Sequence, residues 1–255
     1  MTQVKLPAEF VFSKTVARGE RGKNAKAAQE WLCLHGFHVA VDGIFGPATA
    51  GAVAEYQEQM GLPASGKVTR ATFDALTAPV RAALAPLPVV PDDLGETVVA
   101  IAKQHLAQHP REIGGENSGP WVRLYMNGKD GRDWLWCAGF VCLLVKQAAA
   151  EMERAMPFPR SVSCDVLAMQ ARHRGAFVKE ADVRSAAERK KLAPGTIFLS
   201  RKTANDWVHT GIVVEASADR FTTIEGNTNS GGGRNGYEVC LQRRGYEKKD
   251  FIRIS

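Results

Sequence analysis

Three short stretches hold residue types that can do chemistry together. The first is Asp133-Trp134-Leu135-Trp136-Cys137, which runs straight into Ala138-Gly139-Phe140-Val141. Phe140, Val141, Leu144 and Ala148 recur at helical spacing, so the pattern predicts a helix with Cys137 in or just before its first turn. A thiol there meets unpaired amide hydrogens and the positive end of the helix dipole, and both favour the reactive thiolate. The same amides suit the negative charge that builds on an attacked carbonyl oxygen. A buried, inert cysteine at a helix start is the competing reading.

The second stretch is His209-Thr210-Gly211-Ile212-Val213-Val214. Of the histidines at 35, 38, 105, 109, 173 and 209, only His209 opens a strong β-branched run. That run predicts a strand holding the imidazole at the rim of a sheet, with Gly211 leaving room for a close approach. The third is Thr222-Thr223-Ile224-Glu225-Gly226-Asn227, in which Glu225 and Asn227 would share one strand face. Thiol, imidazole and carboxylate form a nucleophile, a base and a group that fixes the base's tautomer. Asn227 would polarise the same network or hold substrate. A solvated histidine and a plain turn at Glu225-Gly226-Asn227 are the alternatives.

The other candidates carry less. Cys33, Cys142, Cys164 and Cys240 read as small buried hydrophobes, and five cysteines without a CxxC pair suit a reducing cytosol. His105 and His109 lie four apart on one helix face but lack a third ligand, so a surface position is expected. Lys129 and Arg132 interrupt Asn127, Asp130 and Asp133, which argues against a tight calcium loop. Gly231-Gly232-Gly233 precedes no Lys-Ser/Thr and is no phosphate loop. No cofactor and no metal are expected. The net charge of +6 favours polyanions of any kind, and its basic residues are dispersed among acidic ones. Nucleic acid and an anionic cell envelope fit it equally well, and charge alone does not choose. No apolar run is long enough to span a bilayer, and no secretory signal is visible. The expectation is therefore a monomer made in the cytoplasm, without integral membrane association.

Positioning these groups takes an α+β layout, with helices first and an antiparallel sheet after them. Residues 1–23 are read as an N-terminal arm, packed on a neighbour through Leu6, Phe10 and Phe12 or mobile. Residues 24–78 read as three short helices, the first capped by Asn24. Within them Asp42-Gly43-Ile44-Phe45-Gly46-Pro47-Ala48-Thr49 is echoed by Ser65-Gly66-Lys67-Val68-Thr69-Arg70-Ala71-Thr72, a weak repeat of turn plus helix. Residues 79–93 hold four of the twelve prolines and read as a stiff, partly extended linker, across which few contacts are expected. Residues 94–255 form the domain carrying all three stretches.

Residues 24–78 resemble the three-helix peptidoglycan-binding domain of wall hydrolases, through Asp42–Thr49, the Tyr56-Gln57 pair and the second turn. Trp136-Cys137-Ala138-Gly139, then His209-Thr210-Gly211, then Glu225-Gly226-Asn227 resemble the CHAP family of papain-like cysteine, histidine-dependent amidohydrolases/peptidases. By position the resemblance makes Cys137 the nucleophile, His209 the base and Glu225 its orienting group, with Asn227 matching a further asparagine of the site. It also puts Glu112, Asn117 and Trp121 near the cleft, with Trp136 beside the nucleophile as a further substrate contact. The family has Pro-Gly-Asp in many members where this chain has Pro194-Gly195-Thr196. The implied activity is hydrolysis of an amide in bacterial peptidoglycan, as endopeptidase or N-acetylmuramoyl-L-alanine amidase, after phage-assisted release or specialised secretion. The partner expected from the chain as a whole is bacterial peptidoglycan, with no nucleic acid. A non-catalytic wall-binding protein and a cysteine hydrolase of a soluble amide or protein are the other function classes.

Overall fold

The computed structural model describes residues 6–233 and 235–254. Its N-terminal third is built from helices α1 (Lys23–Leu34), α2 (Pro47–Gln59) and α3 (Arg70–Leu76). The sequence repeat has a physical basis there. Gln29 on α1 is buried and donates through Nε2 to Asp42 Oδ1 and the Ile44 carbonyl, while its Oε1 accepts from Gly43 N. Gln57 on α2 does the same for the second turn, donating to the Lys67 carbonyl and Thr72 Oγ1 and accepting from Gly66 N. Gly43 and Gly66 have φ of 73° and 64°, a conformation that favours glycine. Each buried amide thus satisfies the backbone of one turn.

Of the two readings of the N-terminal segment, the packed one agrees with the structure: Phe10 is buried against Trp31, Val16 bridges Val68, and Arg21 bridges Ile44. The part of the arm at residues 1–5 lies outside the described residues. The expected cap is corrected: Asn24 is inside α1, whose N-cap is Gly22.

The proline-rich stretch is also more structured than a linker. It begins with α4 (Ala78–Ala83), because Pro79 occupies the helix start, where its missing N–H costs nothing. Val80 and Ala83 are buried, and α4 packs on α5 (Leu94–Leu106). The Ala83 carbonyl at its end accepts from Gln104 and Gln147 of the following domain.

After α5 come α6 (Pro120–Tyr125), α7 (Cys137–Glu151), α8 (Cys164–His173) and a short α9 (Ala186–Arg189). The six-stranded sheet has the order β1-β6-β2-β3-β4-β5, antiparallel throughout. Its strands are β1 (Phe177–Val178), β2 (Ile197–Thr203), β3 (Asp206–Ala216), β4 (Phe221–Thr228), β5 (Glu238–Arg244) and β6 (Lys249–Ile252). Helix α7 is apolar nearly all round because it is covered on several sides, by α5 and α6 and by β3 and β4. The mixed helical and antiparallel layout is as the sequence predicts.

Few contacts were expected between the halves, and there are many. Trp31 meets Trp121 edge-on at 6.3 Å. Arg123 on α6 binds Glu9, Glu30 and Asp130. Arg111 donates to the Leu34 carbonyl at 3.0 Å. One hydrophobic core runs from Phe10 and Trp31 through Trp121 to Ile212.

Candidate active site

Cys137 is the first residue of α7, with Trp136 as N-cap. Helix α7 lies against the strands that carry the other two groups. His209 sits inside β3, the fourth residue of a central strand paired with Ser200, and is 2% exposed. This corrects the rim position: the strand starts earlier, at Asp206, than its β-branched run suggests. Across the β3–β4 pair, His209 Nε2 donates to Glu225 Oε2 at 2.7 Å. Gly211 permits this approach, since a Cβ there would lie 2.7 Å from Glu225 Cγ.

Glu225 is fully buried, and both its oxygens are occupied. Arg244 on β5 grips them with Nε at 2.8 Å and Nη2 at 2.5 Å, and Thr223 Oγ1 adds a third donor at 2.5 Å. Burial opposes the Glu225 charge, but Arg244 and His209 outweigh it and hold the carboxyl at about 2. The carboxylate fixes the His209 tautomer and leaves Nδ1, which has no partner at hydrogen-bonding geometry, for the thiol side. Burial disfavours the imidazolium, yet the nearby Cys137 and the hydrogen-bonded Glu225 carboxylate lift His209 to about 9. Cys137 is held well below the usual thiol range by the Cys164 thiol and His209, against the cost of burial. At neutral pH the arrangement therefore favours thiolate and imidazolium.

Arg244 escaped the sequence reading because it lies on the next strand, in a run with Arg243 that looks like a solvated edge. Cys164 escaped it too. It opens α8, and its sulfur lies 3.9 Å from Cys137 Sγ, so it is no isolated core filler.

Asn227 does not join the Cys137–His209–Glu225 row. A bulge separates it from Glu225, and its φ of 57° turns the side chain away from the strand face the two were expected to share. Its Oδ1 accepts from Trp136 N at 3.2 Å, and its Nδ2 donates to the Gly236 carbonyl and to Asn117 Oδ1. Asn227 thereby ties β4 to the start of α7.

The expected substrate contacts divide. Trp136 Nε1 donates to Glu112 Oε1 at 2.8 Å, and Asn117 N donates to Glu112 Oε2 at 2.7 Å. Trp136 and Asn117 are fully buried. These residues brace Asn227 from behind and present no free face. Glu112 also lines an open cleft of about 530 Å³ with Ile113, Glu116, Asn235, Gly236 and Tyr237. Burial raises its carboxyl above the usual range, against the hydrogen bonds from Trp136 and Asn117. Trp121 is not at a cleft: it is 1% exposed, between Trp31 and Tyr125.

His105 was expected at the surface with His109, and the two part company. His105 is buried between Tyr125 Oη at 3.0 Å and Gln147 Oε1 at 3.1 Å, and burial pushes it down to about 4, a neutral core residue. His109 lies beyond the end of α5, with φ of 50°.

Residues 21–76, which contain the two glutamine-clamped turns, match the family described as "Putative peptidoglycan binding domain". The N-terminal helical unit is a peptidoglycan-binding domain. Three solved structures are similar to parts of the chain. A peptidoglycan-binding protein from Clostridioides difficile, in complex with glutamine hydroxamate, is 43% identical over 25% of this chain and 40% of its own, with a TM-score of 0.25. The SleB N-terminal domain is 34% identical over 27% of this chain and 96% of its own, with a TM-score of 0.26. A Burkholderia AP3 phage endolysin is 26% identical over 36% of each chain, with a TM-score of 0.25. The chain thus spans about two fifths of the length of the first of these. No curated protein matches the sequence. Among the described residues, no helix is long and apolar enough to cross a membrane. The matched unit packs through α1 directly on the half that carries Cys137.

Proposed function

We propose that this protein is a peptidoglycan hydrolase of the CHAP type, with a papain-like cysteine site that cuts an amide of the wall peptide. The observation that carries the reading is the row of buried Cys137, His209 and Glu225, the last gripped by Arg244, with its thiol at the start of α7, in a chain that also holds a peptidoglycan-binding domain.

The chemistry follows from these positions. The Cys137 thiolate adds to the amide carbonyl carbon, and the electron pair displaced onto oxygen is held by amide hydrogens at the start of α7. As the C–N bond breaks, the His209 imidazolium gives its proton to the leaving amine. The resulting thioester is then attacked by water, which loses a proton to neutral His209. The thiolate leaves, and the carboxylate product forms. Glu225, gripped by Arg244, keeps the ring oriented through both steps. The peptidoglycan-binding domain holds the chain on an insoluble polymer and raises the local concentration of scissile bonds.

Replacing Cys137 with Ala removes the attacking atom without opening a large cavity. The variant is expected to bind sacculi and to release nothing from them. Lysis retained in Cys137→Ala would sink the proposal. Mass spectrometry of muropeptides from the active protein identifies the bond, since a newly free L-alanine amine marks an amidase and any other new amine an endopeptidase.

A further inference from the structure

We propose that Cys137 and Cys164 form a redox modification site, at which a small hydroperoxide converts the two thiols into a reversible disulfide that disables the nucleophile. The disulfide does not depend on the hydrolase reading; its effect on wall lysis does.

The placement is specific to this pair. Cys137 opens α7 and Cys164 opens α8, so two helix starts present their thiols to one another at 3.9 Å. The remaining cysteines have other hydrogen-bond partners, although Cys142 also lies near enough to Cys164 to act on its charge. Cys142 lies deeper in α7, where its sulfur accepts from Ser161 N; Cys33 faces the Val39 carbonyl, and Cys240 faces Gln242. A disulfide closes at about 2.05 Å, so the two sulfurs must approach by about 1.9 Å. Cys137 and Cys164 are 4% and 7% exposed, so neither sulfur is wholly sealed from solvent.

The two thiols are also unlike each other in the way this reaction needs. Cys137 is the easily ionised partner, and Cys164 stays protonated because it donates to Cys137 and is buried. In the first step the Cys137 thiolate attacks one oxygen of the hydroperoxide. An S–O bond forms, the O–O bond breaks, and the leaving alkoxide takes a proton, giving Cys137 sulfenic acid and an alcohol (water, for hydrogen peroxide). In the second step the Cys164 sulfur attacks the Cys137 sulfur. The S–S bond forms, the S–O bond breaks, and hydroxide leaves with the Cys164 proton as water. Two thiols have then lost two electrons to one hydroperoxide. The product blocks the nucleophile and spares it from irreversible oxidation to sulfinic acid.

The test treats reduced, full-length protein with hydrogen peroxide, blocks free thiols, and maps the peptides by mass spectrometry. The expected product is a cross-link joining the Cys137 and Cys164 peptides. Lysis of sacculi falls in proportion to the cross-linked fraction and returns on treatment with dithiothreitol. In Cys164→Ala, peroxide instead drives Cys137 to sulfinic acid, and dithiothreitol restores nothing. Absence of the cross-link from the wild-type protein, or pairing of Cys137 with another cysteine, overturns the proposal whether or not the variant folds. Undiminished lysis by fully cross-linked protein also overturns it. A cross-link in a protein that never lyses walls upholds the disulfide site and refutes the hydrolase reading instead.

Discussion

Arg123→Met tests how firmly the peptidoglycan-binding domain is built into the rest of the chain. The guanidinium donates through Nε to Glu9 at 2.7 Å, through Nη2 to Glu30 at 2.6 Å and through Nη1 to Asp130 at 2.7 Å. Glu30 is on α1 and only 1% exposed, whereas Glu9 and Asp130 keep about a quarter of their surface in water. Methionine fills much of the same space but leaves three carboxylates facing one another. Among the described residues, Lys26 at 3.7 Å is the remaining cation paired with Glu30, and it is nearly half in solvent. Removing one partner of a buried ion pair costs about 3–5 kcal/mol. Because Glu9 and Asp130 can rehydrate, the low end applies, about 3 kcal/mol. Urea unfolding followed by tryptophan fluorescence measures this directly, since Trp31 and Trp121 lie against each other at the same junction. The wild-type chain is expected to unfold in one transition, and Glu30→Gln in the Arg123→Met background is expected to restore part of the loss. A loss below about 1 kcal/mol would put the network in the class of solvated surface pairs and refute the reasoning. Two separate wild-type transitions would refute it equally.

Two further outcomes concern the candidate site. Arg244→Met frees both Glu225 oxygens from their grip, so turnover on muropeptides is expected to fall about tenfold, or about 1.4 kcal/mol, with the alkaline limb of the pH profile moved upward as a cation leaves the neighbourhood of His209. An unchanged profile would mean that Arg244 serves the fold alone. Stability should also depend on pH with a definite sign. Glu225, held at about 2, contributes above its unfolded value near ~4.3 and loses that contribution as pH falls toward 2, whereas His209, raised to about 9, contributes below its unfolded value near ~6.5 and loses that as pH rises through 9. Cys137, held below the usual thiol range, contributes with the opposite sign and offsets the alkaline loss. Urea midpoints should therefore decline on the acid flank in the wild type, and that decline should shrink in Glu225→Gln; an unchanged acid decline in that variant would remove Glu225 as its source.

What the sequence made legible is what local patterns encode. The helix beginning at Cys137, the strands around His209 and Glu225, and the repeated turn each lie within a short run of residues. The rest depends on contacts between distant segments. Arg244 and Cys164 sit in ordinary local surroundings, and only the β4–β5 pairing and the approach of α8 to α7 give them partners. Asn227 was placed on the wrong face because strict alternation holds only in a regular strand, and the glycine inside Glu225-Gly226-Asn227, a common mark of a bulge, is a local signal that the alternation rule leaves out. The stretch 79–93 misled by composition: prolines suggest extension, but one at a helix start allows α4 to form and dock. His105 and Trp121 were misplaced for a related reason, since the docking of the two halves and the packing of α5 on α7 bury faces that an isolated helix would expose.

The same reasoning explains why the polar residues around the site form two separate sets. Glu225 must carry charge where water is excluded, so its oxygens are saturated by His209, Arg244 and Thr223. Asn227 carries no charge, and it joins Trp136, Glu112 and Asn117 in fixing the backbone at the start of α7. Gly226 lies between them, where a Cβ would come within 2.7 Å of Trp136 and 2.9 Å of Phe140. With no side chain there, β4 presses directly against the beginning of α7. One set then sets the charge of the imidazole and the other sets the position of the thiol. A single strand, β4, carries Glu225 for the first and Asn227 for the second. The bulge that defeated the alternation rule is what allows one strand to serve both, because it turns Asn227 toward α7 while Glu225 remains directed at β3.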